Sequence, residues 1–249
     1  MVVRKKVTLP ALTGDKPRMS YVYLPVGYEE SDKRYPVLYM FDGHNLFTDA
    51  EATYGKCWGI EEYFDNNEVP LIVAAVECNH EGDCRLSEYS PVTFNFHGRK
   101  IVGKGKKYMD WLTAEFKPGI DKNYRTLPDR KNTFIAGSSM GGLMTLYALA
   151  RYGNVFSRGA ALSPSLWVQS GEVPDFIARA KFAPDTVLFT DYGTAEFKNH
   201  SPQRALFGET FKILSGKGVA VTARIVAGGT HSEASWEREI PYFLSVLLN

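Results

Sequence analysis

The sequence predicts an α/β fold with a mostly parallel central sheet flanked by helices, built as one domain over residues 1–249. Three observations carry this. Nearly continuous apolar runs rich in Val, Ile and Phe recur along the chain, patterns of helical period fall between them, and no repeat, low-complexity tract or linker interrupts the series. A chain of 249 residues suits one such unit, whereas two would be short of core.

The strands are read in order. Arg18 to Leu24 partly alternates, as a strand near a sheet edge does. Tyr35 to Phe41, Pro70 to Val76 and Thr133 to Gly137 are nearly continuous apolar runs, the pattern of strands covered on both faces. Arg158 to Leu162, Thr186 to Thr190 and Val219 to Val226 are weaker runs of the same kind. Between them, Tyr108, Leu112 and Phe116 recur every four residues, and Phe207, Phe211 and Leu214 keep a similar spacing before Gly216-Lys217-Gly218. Trp236, Ile240, Phe243, Leu244 and Leu247 form the last amphipathic stretch, which Pro241 should disturb locally. In open sheets of this class, sites lie at the carboxyl ends of the strands.

Composition narrows the function classes. Lys and Arg number 29 against 28 Asp and Glu, a net charge of +1 that gives no reason to expect a nucleic-acid or membrane partner. No apolar run approaches the roughly 18–20 residues that span a bilayer. The start, Met1-Val2-Val3-Arg4-Lys5-Lys6, lacks the apolar segment of a secretory leader. Cys57, Cys78 and Cys84 are too few, and odd in number, for a disulfide framework. A cytoplasmic location is the expectation.

The most informative segment is Thr133-Phe134-Ile135-Ala136-Gly137-Ser138-Ser139-Met140-Gly141-Gly142. It reads as a strand, then Gly-x-Ser-x-Gly, then a helix running from Met140 to Arg151. The turn must be sharp, so side chains at Gly137 and Gly141 would collide with neighbouring backbone. Ser139 is the expected nucleophile, raised above the sheet edge, with Met140 at a helix N-terminus offering its N–H to an oxyanion. Ser138, at the x position, reads as a small residue fitting the turn.

A serine nucleophile needs a base, and in this chain order the base follows it. His200 and His231 qualify. His231 stands in the loop between the Val219–Val226 strand and the last helix, at the same sheet edge as Ser139, and is preferred; His200 sits in a polar stretch. For the acid, Asp185 precedes its strand and so lies at the wrong edge. Glu196, on the loop after Thr186–Thr190, is preferred, with Asp191 as runner-up. Gly43, in Asp42-Gly43-His44-Asn45 at the exit of the Pro36–Phe41 strand, allows a close approach by which the His44 N–H could join that of Met140; a simple Asp-Gly turn reads equally well.

Taken together, these residues resemble the putative-esterase family of α/β-hydrolases, which includes enterochelin esterases, the esterase D type, family 1 carbohydrate esterases and the antigen 85 acyltransferases. The resemblance runs through Tyr35 to Gly43, Arg85 with Glu88 and Pro91, Tyr108-Met109-Asp110 and Lys117 to Asp121 with Tyr124-Arg125-Thr126. It continues through the Ser139 turn with Gly142, Phe156, Ser163-Pro164-Ser165, Gly193-Thr194-Ala195-Glu196, and Gly229-Thr230-His231 with Trp236. It implies the α/β-hydrolase fold, an acid at the fourth position of Gly-Thr-x-Asp/Glu, hence Glu196, and an oxyanion donor after the Asp-Gly pair, hence His44.

The expected function is a serine carboxylic-ester hydrolase working on a small-molecule ester through an acyl-enzyme, with acyl or feruloyl sugar esters as substrates. An acyltransferase with the same nucleophile, or a non-catalytic binding module, are the alternatives. The chemistry needs no cofactor. Trp167, following Ser163-Pro164-Ser165, and Arg85 are the candidate substrate-binding residues. The stretch from Asn79 to Lys107 reads as a long loop that could wall the pocket. Cys78-Asn79-His80-Glu81-Gly82-Asp83-Cys84 offers metal-binding residue types, but a single cluster without a second half at zinc-site spacing reads as a loop, and no metal site is expected.

Overall fold

A computed structural model of the chain describes residues 1–169, 174–196 and 201–249. Ten strands are described: β1 (Val2–Leu9), β2 (Gly14–Tyr23), β3 (Val37–Met40), β4 (Ile72–Val76), β5 (Phe94–Phe96), β6 (Arg99–Ile101), β7 (Thr133–Ser138), β8 (Arg158–Leu162), β9 (Val187–Gly193) and β10 (Ala220–Val226). Eight of them form one sheet in the order β1-β2-β4-β3-β7-β8-β9-β10, and β5 pairs with β6 in a separate hairpin. From β4 to β10 every pairing in the large sheet is parallel, while β1–β2 and β2–β4 are antiparallel. This is the α/β-hydrolase fold.

The apolar strand runs behave as a sheet buried on two faces requires. Along β3, Val37 and Tyr39 enter one core while Leu38 and Met40 enter the other; along β7, Ile135 takes the first side, Phe134 and Ala136 the second. Tyr108, Met109, Leu112 and Phe116 cover the first face, together with Leu143, Met144 and Leu146 of the helix Met140–Arg151. Ile60 and Phe64 cover the second, with Trp236, Ile240, Phe243, Leu244 and Leu247. The last amphipathic stretch is split into Glu233–Glu237 and Ile240–Leu247, and Pro241 sits in the first turn of the second piece, where its missing N–H costs nothing.

Two features depart from the sequence reading. The charged N-terminal segment is an edge strand: Val2, Val3 and Val7 pack against the core while Arg4, Lys5 and Lys6 are exposed, a charge pattern that discourages further strand pairing. The stretch from Asn79 to Lys107 also holds more structure than a loop, with a short helix Cys84–Glu88 and the β5–β6 hairpin. Among the described residues, no helix is long and apolar enough to cross a membrane.

Candidate active site

The carboxyl ends of β3, β7, β8, β9 and β10 lie side by side in the sheet, and the residues leaving them build the site. Ser139 follows β7 at φ 56° and ψ −120°, outside ordinary L-residue territory, and starts the helix Met140–Arg151. A Cβ on Gly137 would stand 2.9 Å from the Gly141 backbone and from the Phe41 ring, and one on Gly141 would stand 2.9 Å from Phe41 Cβ. The glycines are therefore required by Phe41, at the exit of β3, as much as by the turn itself. Met140, first in its helix, has no carbonyl one turn earlier to receive its N–H. The Ser139 Oγ lies 3.3 Å from Ser165 Oγ, and the Ser165 N–H donates to the Ser139 carbonyl at 3.0 Å.

After β9, Glu196 carries a side chain only 1% exposed, and its Oε2 is 3.0 Å from His231 Nδ1. Its Oε1 accepts from the Gly193 N–H at 2.6 Å and from the Ser163 hydroxyl at 2.5 Å. Ser163 in turn accepts the Trp236 indole N–H at 3.0 Å, and the Trp236 ring meets the His231 ring edge to face, 5.1 Å between centroids. The loops carrying acid and imidazole are pressed together. The Ala195 N–H donates to the Gly229 carbonyl at 2.8 Å and the Gly228 N–H to Thr194 Oγ1 at 2.9 Å, and a Cβ on Gly193 would overlap the Gly229 carbonyl.

Asp191 stays in its strand, 3% exposed, and its Oδ1 accepts the Ser163 N–H at 2.8 Å, so it supports the turn after β8. His200 lies outside the described residues.

The exit of β3 is a second strained turn. Asp42 has φ 56°, and both of its carboxylate oxygens are gripped by Arg85, each at 2.7 Å. Burial would lift the Asp42 carboxyl, but the guanidinium outweighs it and holds the group below the usual carboxylate range. His44 follows within a short 3₁₀ turn, Gly43–Asn45, and is buried. Burial lowers its imidazole pKa, against the Asp42 carboxylate and with the neighbouring His80 and Arg85.

Ser139 and His231 line one cavity of about 340 Å³ with Asn45, Thr53, Tyr54, Arg85, Glu233 and Trp236. Arg85 thus touches the cavity while its charge is already committed to Asp42. Trp167 does not line it: the indole packs on Phe94 and Phe96 of the β5–β6 hairpin, with centroids 5.7 and 5.6 Å away. Large aromatics next to a hairpin find apolar partners readily, and two phenylalanines claim this one. Glu233 went unnoticed in the sequence because a Glu in the first turn of a helix is commonplace; here it is buried, accepts from Asn45 Nδ2 at 3.3 Å, and burial raises its pKa. All three cysteines are free thiols.

Comparison with known proteins places the chain in a family. The family model described as "Putative esterase" matches residues 13–242. An uncharacterised protein of Bacillus subtilis, YbbA, is 25% identical over 198 residues, covering 77% of this chain and 74% of that one. An endo-1,4-β-xylanase/feruloyl esterase of Xylanibacter ruminicola is 23% identical over 94% of this chain, which spans 30% of the length of that protein. Among solved structures, an IroE-like serine hydrolase from Shewanella oneidensis superimposes with a TM-score of 0.73 at 20% identity, over 99% of this chain and 78% of that one. At that identity the likeness speaks for the fold.

Proposed function

The chain belongs to the putative-esterase family of carboxylic-ester hydrolases, and we propose that it works through a Ser139–His231–Glu196 triad and an acyl-enzyme. The observation that carries the reading is the 3.0 Å approach of Glu196 Oε2 to His231 Nδ1, on an imidazole that shares its cavity with the strained Ser139. Ser139 Oγ attacks the ester carbonyl as His231 Nε2 takes its proton. Glu196 holds the Nδ1–H tautomer and stabilises the imidazolium. The N–H groups of Met140 and His44 receive the oxyanion, each contributing on the order of 3 kcal/mol to the transition state. His231 then protonates the departing alcohol, and water, activated by the same imidazole, releases the acid and regenerates Ser139.

Acyl and feruloyl esters of sugars are the proposed substrates. Support comes from the likeness to a xylanase/feruloyl esterase over 94% of this chain, and from cavity walls that offer hydrogen-bonding groups at Asn45, Thr53, Tyr54 and Glu233 for a hydroxyl-rich partner. The test is Ser139→Ala against a panel of p-nitrophenyl acetate, acetylated sugars and feruloyl esters, with fluorophosphonate labelling in parallel. Turnover and labelling should both vanish while the melting temperature holds. Near-normal turnover in that variant would refute the nucleophile.

A further inference from the structure

We propose that His44, Cys78 and His80 form a binding site for one divalent transition-metal ion of the borderline-soft kind, such as Zn²⁺ or Co²⁺. One ligand atom from each of the three lies within 4.8 Å of the other two. Cys78 and His80 stand just beyond β4, and His44 comes from the turn after β3, the strand beside it. The second half that a zinc-type site requires is supplied by folding, from a residue 34 positions earlier in the chain.

Two of the three side chains already present ring nitrogens. Cys78 is buried against the Asp42 carboxylate, and burial together with that charge pushes its thiol up, so the ion must displace that contact as it takes the sulfur. His44 is buried, its Nε2 is 2.9 Å from Thr53 Oγ1, and its Nδ1 is buried with no hydrogen-bond partner among the described residues. With the ring proton on Nε2 and shared with Thr53, Nδ1 presents a bare lone pair. His80 repeats the pattern: its Nε2 faces Glu77 Oε2 at 3.7 Å, and its Nδ1 lies 4.0 Å from Cys78 Sγ. Metal-bound imidazoles are held in this manner, one nitrogen on the ion and the other on an oxygen acceptor. The two rings meet edge to face with centroids 4.5 Å apart. A tetrahedral ion with ordinary bond lengths places nitrogen and sulfur ligands about 3.5 Å apart. The Cys78–His80 pair must therefore close by roughly 0.5 Å on binding, from 4.0 Å, with the His80 side chain half-exposed.

Imidazole and thiol together select Zn²⁺ and its neighbours over Mg²⁺ or Ca²⁺, which want oxygen. On binding, the Cys78 S–H bond breaks, a metal–sulfur bond forms, and the proton passes to solvent; no electron is transferred. The fourth coordination position is left to water, which His80, 53% exposed at its side chain, admits from the surface. The proposal does not depend on the esterase reading, which uses only the main chain of His44.

The experiment is titration of the EDTA-treated full-length protein with CoCl₂, followed by absorption. One equivalent should produce visible d–d bands with a near-ultraviolet thiolate-to-cobalt transition, and ZnCl₂ should bleach both. His80→Ala, at a half-exposed ring, should keep the wild-type melting temperature and weaken cobalt binding at least tenfold. Cys78→Ser should lose the thiolate band. Absence of that band in the wild type at one equivalent would overturn the proposal. So would an undiminished band in Cys78→Ser, which points to Cys57 or Cys84, or unchanged affinity in His80→Ala.

Discussion

The Ser163 hydroxyl sits 2.5 Å from Glu196 Oε1, so the exit of β8 supports the carboxylate that leaves β9. Ser163 is itself held at φ 43°, buried, with the Trp236 indole donating to its oxygen at 3.0 Å. The chain of contacts runs Trp236, Ser163, Glu196, His231, each bond fixing the next group. Ser163→Ala should lower kcat roughly tenfold with KM little changed, since it removes one of the two donors, beside the Gly193 N–H, that fix the Glu196 carboxylate. In a Glu196→Gln background the same change should cost almost nothing more, because the two act through one imidazole. Full additivity in that double variant would separate Ser163 from the triad.

Glu196→Gln alone should reduce kcat on the order of 10²–10⁴-fold, the range lost when an imidazole is left without its orienting carboxylate. Steady-state kinetics on p-nitrophenyl acetate read this directly. A change below threefold would mean that Ser139 and His231 suffice as a pair.

Arg85 grips Asp42 by two bonds to two oxygens, a geometry that lysine cannot reproduce. Arg85→Met should destabilise the fold by about 3 kcal/mol by leaving a buried carboxylate unpaired. Arg85→Lys should recover part of that stability while kcat stays roughly tenfold down, because the turn carrying His44 is no longer fixed. Thermal denaturation and kinetics on both variants check the split; a fully active lysine variant would count against it.

Burial lifts the Asp191 carboxyl to about 8, opposed by the Ser163 N–H and helped by Glu239 and Glu196. The folded chain keeps a proton there over a range in which the unfolded chain, with a carboxyl near ~3.9, has released it. Stability from this group is intact below the unfolded value and drains away as pH rises towards about 8. Asp191→Asn keeps an acceptor for Ser163 and has no proton to lose. Its melting temperature relative to wild type should rise by several degrees between pH 5 and 8.5, at roughly 2–4 °C per kcal/mol for a chain of this size. A gap that does not change with pH would place Asp191 in an ordinary ionised state.

What could be read from the sequence had a local cause. The Ser139 turn is legible because Gly137 and Gly141 announce a backbone that tolerates no side chain, and β3, β4 and β7 are legible because burial on both faces leaves them nearly continuous apolar runs. Glu196 is preferred over Asp191 as the acid, but two carboxylates five residues apart are told apart locally only by where the strand stops; β9 runs to Gly193 and keeps Asp191 inside it. The roles of Ser163, Trp236 and Glu233 are invisible locally, as each depends on a partner more than 30 residues away. β1 was hidden by Arg4, Lys5 and Lys6, which an edge strand accommodates and a buried one would not.

The backbone seam between Gly193 and Gly229 joins the loops that carry Glu196 and His231 into one mechanical piece. An insertion that reshapes one loop is therefore expected to displace the other. Chimaeras that exchange the two loops together between relatives should retain turnover; those that exchange either one alone should not.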